Sequence, residues 1–353
     1  MCQVEQISKP ARIRQHFEAF SGTIPGGDRM NQSGKAWLMA MVMGILLPGL
    51  LFSVSEKFIS REGRKPILEG TAVATEPVQQ QDAEVLVLMP NGQAEMDMQT
   101  YLTGVLLAEM PVDFSEEALK AQAVVSRTYA LRRNSLGNKH PQGAVCTESS
   151  CCQAYRAIED FLSKGGTEEM LKKVSQAVEL TENQVLTYNG ALIEATYFSC
   201  SGGRTEDALA VWGTDIPYLQ AVDSPGEESA AHFVDTAEFT TAEFASLLGI
   251  SPKGSATTWL GSATYTDGGG VDTMIIGGKT FSGTEIRQKL GLRSTVFSMY
   301  ATEDKIYIST RGFGHRVGMS QYGAEAMAVR GSDYQKILYH YYPGTQLTAY
   351  TRN

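Results

Sequence analysis

Apolar and polar positions along the chain assign most of its elements. The run "AWLMAMVMGILLPGLLFSV", Ala36 to Val54, is uncharged and long enough to cross a bilayer. Trp37 stands at its edge as interfacial aromatics do, and Pro48 is tolerable inside it. A cleaved leader is the rival reading, but the nearest small-x-small site, "AVA" at Ala72–Ala74, is far downstream, so a single-pass anchor is expected. Residues 55–82 are polar and suit a linker. "EVLVLMPNGQAEMDMQ" then reads as a strand, a turn at Pro90-Asn91-Gly92, and an approach to a helix.

Asp97 is the expected N-cap of that helix, with Leu102, Val105, Leu106 and Glu109 at spacings of three and four. Met110 precedes Pro111 and is pushed out of the α region, so the helix ends there. Ser115 caps the next helix, whose first turn holds Glu116 and Glu117 where the dipole favours acids. Further on, "EDFLSKGGTEEMLKKVSQAVELT" predicts helical pieces broken at Gly165-Gly166, and "QVLTYNGALIEATYFSCSGG" a hairpin around Asn189-Gly190. "TAEFASLLGI" reads as a short helix, "VDTMIIGGKTFSGTEIRQKLGLRS" as strand, turn and helix, and "KIYISTRGFGH" as a strand entering a Gly-rich loop. Strands and helices do not alternate strictly, which favours α+β over a doubly wound fold. The expected organisation is a tail (1–35), a membrane anchor (36–54), a linker (55–82) and one mixed helix/strand domain (83–353).

Composition narrows the function classes. The net charge is −9, with 30 Lys/Arg against 39 Asp/Glu, and the acidic surplus lies beyond residue 65. No basic surface is left for nucleic acid. Lys and Arg flank the apolar run on both sides, so the positive-inside rule does not orient it, and an outside C-terminal domain is allowed.

Candidate chemistry centres on Glu109. An acid at a helix end is most often simply solvated. Here it follows Leu106, Leu107 and Ala108 and precedes Met110-Pro111. Desolvation and the negative end of the helix dipole both favour its protonated form, as a general acid requires. The cysteines form a second group. Cys2 lies in the tail, while His140, Cys146, Cys151 and Cys152 crowd into "HPQGAVCTESSCCQAY". Four such donors suit a closed, structural zinc site. A disulfide involving Cys200, or free thiols, is the alternative.

"YLTGVLLAEMPVDFSEEALKAQAVVSRTYAL" (Tyr101–Leu131) closely resembles the signature of the stage II sporulation protein D (SpoIID/LytB-like) family. So do "SCSGGRTEDALAVWGTDIPYLQAVDSPGE" (Ser199–Glu227), "FSGTEIRQKLGLRSTVF" (Phe281–Phe297) and "RGFGHRVGMSQYGAEAMA" (Arg311–Ala328). The resemblance implies a membrane-anchored lytic transglycosylase with an extracytoplasmic catalytic domain and a substrate cleft. It would act on peptide-stripped peptidoglycan strands during forespore engulfment, beside the stage II sporulation proteins P and M. Its reaction cleaves the β-1,4 bond between N-acetylmuramic acid and N-acetylglucosamine and leaves a 1,6-anhydro ring, a lyase reaction that needs no cofactor.

By the same resemblance Glu109 is the catalytic acid and then base, and Lys120, Arg127 and His315 line the cleft; Ser201, Thr205, Glu206, Ser320 and Gln321 are polar candidates in the matching stretches, and Tyr218 could stack on a sugar face. Lys120 and Arg127 are otherwise ordinary helix charges, and Tyr218 is as readily a core residue. Some family members bind zinc with two Cys and two His, whereas this chain offers one His and three Cys. Three rivals remain open. One is a hydrolase using Glu148, Glu206 or Asp207 as a second carboxylate. Another is a non-catalytic glycan binder that enhances a partner amidase. The third, a metallohydrolase, is disfavoured by a thiolate-rich closed site.

Overall fold

The computed structural model describes residues 83–351. The expected tail, anchor and linker lie outside the described residues, and among the described residues no helix is long and apolar enough to cross a membrane.

β1 (Glu84–Met89) and β2 (Gly92–Asp97) form an antiparallel hairpin through Pro90-Asn91. The segment expected to be an approach to the helix is therefore a paired strand. Its residues are nearly all exposed, so no alternation of burial marks it in the sequence. Asp97 Oδ1 accepts from Thr100 N at 2.9 Å and starts α1 (Met98–Glu109). Met110, extended at φ −117°, stops it before Pro111. After one turn, α2 (Glu116–Leu136) runs to Gly137, whose φ of +64° closes the helix. Ser115 stands at its start, but its hydroxyl bonds Glu325 rather than the helix's own amides.

β3 (Val145–Cys146) adds to β1 in parallel. α3 (Ile158–Ser163) and α4 (Glu168–Glu179) are separated at Gly165-Gly166, as expected. β4 (Gln184–Tyr188) and β5 (Ala191–Leu192) make the hairpin at Asn189-Gly190. β6 (Tyr197–Phe198) and α5 (Ala208–Trp212) follow. Then come β7 (Val234–Thr240), α6 (Thr241–Leu248), β8 (Leu260–Tyr265), β9 (Val271–Ile276), β10 (Lys279–Ser282), α7 (Gly283–Leu290), β11 (Val296–Ala301) and β12 (Lys305–Arg311). β13 (Met319–Ser320), α8 (Gln321–Val329), α9 (Tyr334–Tyr341) and β14 (Gln346–Ala349) return to the first part of the chain. β13 pairs in parallel with β6, and β14 pairs antiparallel with β4.

The mixture is α+β, with two hydrophobic cores. The larger surrounds α1 and α2, with Tyr101, Leu106, Leu119, Val124, Leu186, Met319 and Tyr341 buried together. Both helices are buried along most of their length. The second gathers Phe244, Ile276, Phe281, Ile286, Phe297 and Ile306 beneath the sheets β11-β12-β7 and β10-β9-β8.

Candidate active site

Glu109 closes α1, and that position brings its carboxylate to a cleft of about 960 Å³. Ala154 N donates to its Oε1 at 2.6 Å, and the Tyr197 hydroxyl and Gln321 amide face it. Burial pushes the Glu109 carboxyl above its ordinary value, and the Ala154 hydrogen bond, with the polar groups of Tyr197 and Gln321 nearby, pulls against that shift without cancelling it. Burial and the nearby Glu109 charge hold Tyr197 well above the usual phenol range, so it stays a donor. A second hollow, of about 430 Å³, shares Glu109, Ser199 and Gln321 with the cleft and adds Met110, Pro111, Arg156 and Tyr322. The acid thus stands where two hollows meet.

Of the expected site residues, Glu109, His315, Gln321, Cys151 and Cys152 line the main cleft. His315 packs between Phe198 and Trp212, with ring centroids 5.7 and 5.6 Å away. Its Nδ1 accepts from Val317 N at 3.1 Å. Burial and then the Arg287 charge push His315 down to about 4, so its imidazole is neutral at physiological pH. Gln321 opens α8, whose N-cap Ser320 accepts from Gly323 N.

The remaining candidates hold the walls. Lys120 forms ion pairs with Glu116 and Glu117 on its own helix. Arg127 is fully buried and donates to the carbonyls of Val178, Thr181 and Gln184 just past α4. Neither lines the cleft. Tyr218 packs on Tyr188 and accepts from Glu194 N, and Thr205 exchanges hydrogen bonds with Val222.

Ser201 and Ser320 converge on the buried Glu227. Its Oε2 accepts from Ser201 N, Ser201 Oγ and Gly202 N, and its Oε1 from Ser224 Oγ and Ser320 Oγ. Glu206 pairs with Arg316 at 3.0 Å, both 1% exposed, and also accepts from Thr266 Oγ1 and Gly270 N. Arg316 donates in addition to the carbonyls of Ser201, Arg204 and Gly268. These two carboxylates lock the "SCSGGRTED" and "GHRVGMSQ" segments together. Gly318, at φ +84°, permits the approach, since a Cβ there would lie 2.1 Å from the Thr196 carbonyl oxygen.

Sequence reasoning missed Tyr197, Glu194, Trp212, Arg287 and Arg316. Glu194 also lines the cleft, tied to Arg132 at 3.1 Å and to Arg133. Trp212 is 40% exposed. Arg287 and Arg316 sit inside motifs singled out for their glycines and pattern, but nothing local marked their roles.

The donor atoms of His140, Cys146, Cys151 and Cys152 all lie within 4.8 Å of one another. A tetrahedron built on Zn–S bonds of about 2.3 Å has edges of roughly 3.8 Å, so the residues present fit a zinc ion. His140 Nε2 lies 3.3 Å from Cys151 Sγ. Cys200 is buried elsewhere, its thiol toward the His232 carbonyl, and all four of the described cysteines are free thiols. The ligand loop touches the acid directly, because Ala154, whose amide bonds Glu109, is two residues past Cys152.

A family model described as stage II sporulation protein (SpoIID) matches residues 91–188. The chain is 39% identical over 319 residues to stage II sporulation protein D of Bacillus subtilis (strain 168), covering 86% of this chain and 92% of that one. It is 40% identical over 257 residues to the protein of that name from Bacillus amyloliquefaciens, covering 71% of this chain and 74% of that one. An amidase enhancer of Bacillus subtilis (strain 168) is 31% identical over 307 residues, 70% of this chain and 40% of the enhancer.

Proposed function

We propose, from the premise that the chain belongs to the SpoIID family of stage II sporulation proteins, that it is a lytic transglycosylase of peptidoglycan glycan strands with Glu109 as its single acid and base. The observation that carries this reading is the pairing state of the cleft carboxylates. Two line the cleft: Glu194 is held by Arg132 and Arg133, whereas Glu109 has no cation within ion-pair distance among the described residues. Glu206 is consumed by Arg316, and Asp207 caps α5 through Leu209 N. Glu148 does not line the cleft. A two-carboxylate hydrolase therefore lacks a free second group.

One acid suffices when the substrate supplies the nucleophile. Protonated Glu109 gives its proton to the glycosidic oxygen as the bond to the muramic C1 breaks. The muramic 6-hydroxyl oxygen then bonds C1 and returns its proton to Glu109. The ring closes, no water is consumed, and the enzyme ends as it began. Ala154 N–H, Tyr197 and Gln321 orient the carboxylate and steady it in its anionic interval. The junction of two hollows at Glu109 suits a polymer crossing the site rather than a small molecule.

His140, Cys146, Cys151 and Cys152 would hold a zinc ion that ties this loop together, a structural role, since four protein donors would fill its coordination. The domain works outside the cytoplasmic membrane, anchored through residues 36–54, beside the stage II sporulation proteins P and M.

The similarity to an amidase enhancer favours one other reading, a glycan binder that stimulates an amidase without cutting. Digestion of amidase-treated sacculi, wild type beside Glu109→Gln, separates them by mass spectrometry of the products. Anhydro ends that lack the water of hydrolysis are expected from the wild type, with a loss of about a hundredfold or more in the variant. Equal cleavage by both proteins rules out Glu109 as the acid, and amidase stimulation without cleavage by either supports the binder.

A further inference from the structure

The sulfurs of Cys146, Cys151 and Cys152 lie within 4.8 Å of one another, yet the three thiols differ in what can reach them. Cys146 is buried on β3, 6% exposed. Cys151 and Cys152 are half-buried and line the cleft with Ser149 and Ser150, but Cys152 also packs against the larger core. Cys151 is therefore the thiol most open to a solute in the cleft. Neighbouring residues hold their Cα atoms about 3.8 Å apart, short of the roughly 4.4–6.8 Å that an ordinary disulfide spans, so Cys151 and Cys152 are poor partners for each other. Cys200 is buried elsewhere, its thiol toward the His232 carbonyl. What remains is an entrance at Cys151 and a hidden second thiol at Cys146, with four residues between them.

We propose that Cys151 is a thiol–disulfide exchange site for small-molecule disulfides, resolved by Cys146, and that its oxidation loosens the hold of Ala154 on Glu109. The Cys151 sulfur, as thiolate, attacks one sulfur of the reagent, forms a mixed disulfide and releases one thiolate. The Cys146 sulfur then attacks Cys151 and releases the second. Two protons and two electrons leave the protein, and the reagent's disulfide becomes two thiols. The same two sulfurs are zinc donors in the reading above, so metal and disulfide exclude each other. Closing the pair to bonding distance draws the sulfurs together by as much as about 2.7 Å, several times the slack of a hydrogen bond. Ala154, whose amide bonds Glu109 at 2.6 Å, is three residues past Cys151 on the chain that is pulled. The proposal takes the role of Glu109 from the reading above and adds a covalent control of it.

The experiment incubates the full chain, stripped of metal, with glutathione disulfide, and maps the thiols by alkylation and peptide mass spectrometry. A Cys146–Cys151 disulfide is expected, two hydrogens lighter and reversed by dithiothreitol, with Cys152 and Cys200 still open to alkylation. Cys146→Ser is expected to stop at a glutathione adduct on Cys151. Zinc added beforehand should slow the loss of both thiols by about tenfold or more. Hydrogen exchange at Ala154, read from overlapping peptides, should run at least about tenfold faster in the oxidised protein. Cys146 and Cys151 that stay alkylatable in the folded chain, while the urea-unfolded chain oxidises, overturn the proposal, and that comparison needs no variant. A disulfide of Cys152 or Cys200 in their place overturns it as well. Unchanged exchange at Ala154 overturns the link to Glu109. Cleavage that proves independent of Glu109 leaves every one of these thiol readouts intact and overturns only the catalytic reading.

Discussion

Replacing Arg316 with Met removes a buried cation of similar length and leaves its partner behind. Four contacts go: the pair with Glu206 at 3.0 Å, and donations to the carbonyls of Ser201, Arg204 and Gly268 at 2.7, 2.6 and 2.6 Å. Glu206, 1% exposed, keeps only Thr266 Oγ1 and Gly270 N. Orphaning one member of a buried ion pair costs about 3–5 kcal/mol, and three carbonyls left without this donor push toward the upper end. The backbone at Arg316 is left-handed, φ +67°, but Met meets the same strain, so the comparison isolates the guanidinium. Against a typical stability of about 5–15 kcal/mol, such a loss is severe. Glu206→Gln is expected to cost less, because Arg316 retains its three carbonyl partners. Equilibrium urea unfolding, followed by circular dichroism and tryptophan fluorescence, measures both. A cost below about 1 kcal/mol for Arg316→Met refutes the view that this pair holds the cleft wall.

Two further outcomes are expected. Glu109 has a folded pKa raised above its unfolded value, so its contribution to stability is complete below the unfolded pKa and is lost as pH rises through the folded one. Glu109→Gln should therefore melt higher than wild type at neutral pH, with the gap closing below about pH 4.5; a variant that melts lower at pH 7 contradicts the burial argument. Wild type is expected to carry zinc, as read by elemental analysis, and to melt higher when zinc is added, whereas Cys151→Ser should lose both the metal and the response. Equal zinc content in both proteins removes Cys151 from the ligand set.

The sequence made the frame of the site legible and left its wiring hidden. Pro111 and the acids at 116 and 117 mark where α1 ends and α2 begins, and so place Glu109 at a helix end. The Lys120 outcome was also readable in principle, since acids three and four residues earlier on a helix take such a lysine. Arg127 sits among Val124, Val125 and Leu131, an apolar setting that favours burial over a cleft. Glu206 and Arg316, by contrast, stand 110 residues apart in sequence and meet only when β6 and β13 pair. Arg287 belongs to a separate core from Glu109, so no periodicity within either helix links them. The second core itself went unseen because its strands and helices have ordinary lengths, and no linker or shift in composition separates them from the rest of the domain.

The stretch from Cys151 to Ala154 has a consequence for redesign. Two side chains belong to the cluster of four donor groups, Gln153 is buried against Tyr101 and Tyr197, and the Ala154 amide grips Glu109. Four successive positions thus serve three masters, and inserting or deleting a single residue there would turn the Ala154 amide away from the Glu109 carboxylate even with every named side chain retained. Grafting this site onto another scaffold means transplanting that tetrapeptide at its present length, as one indivisible part.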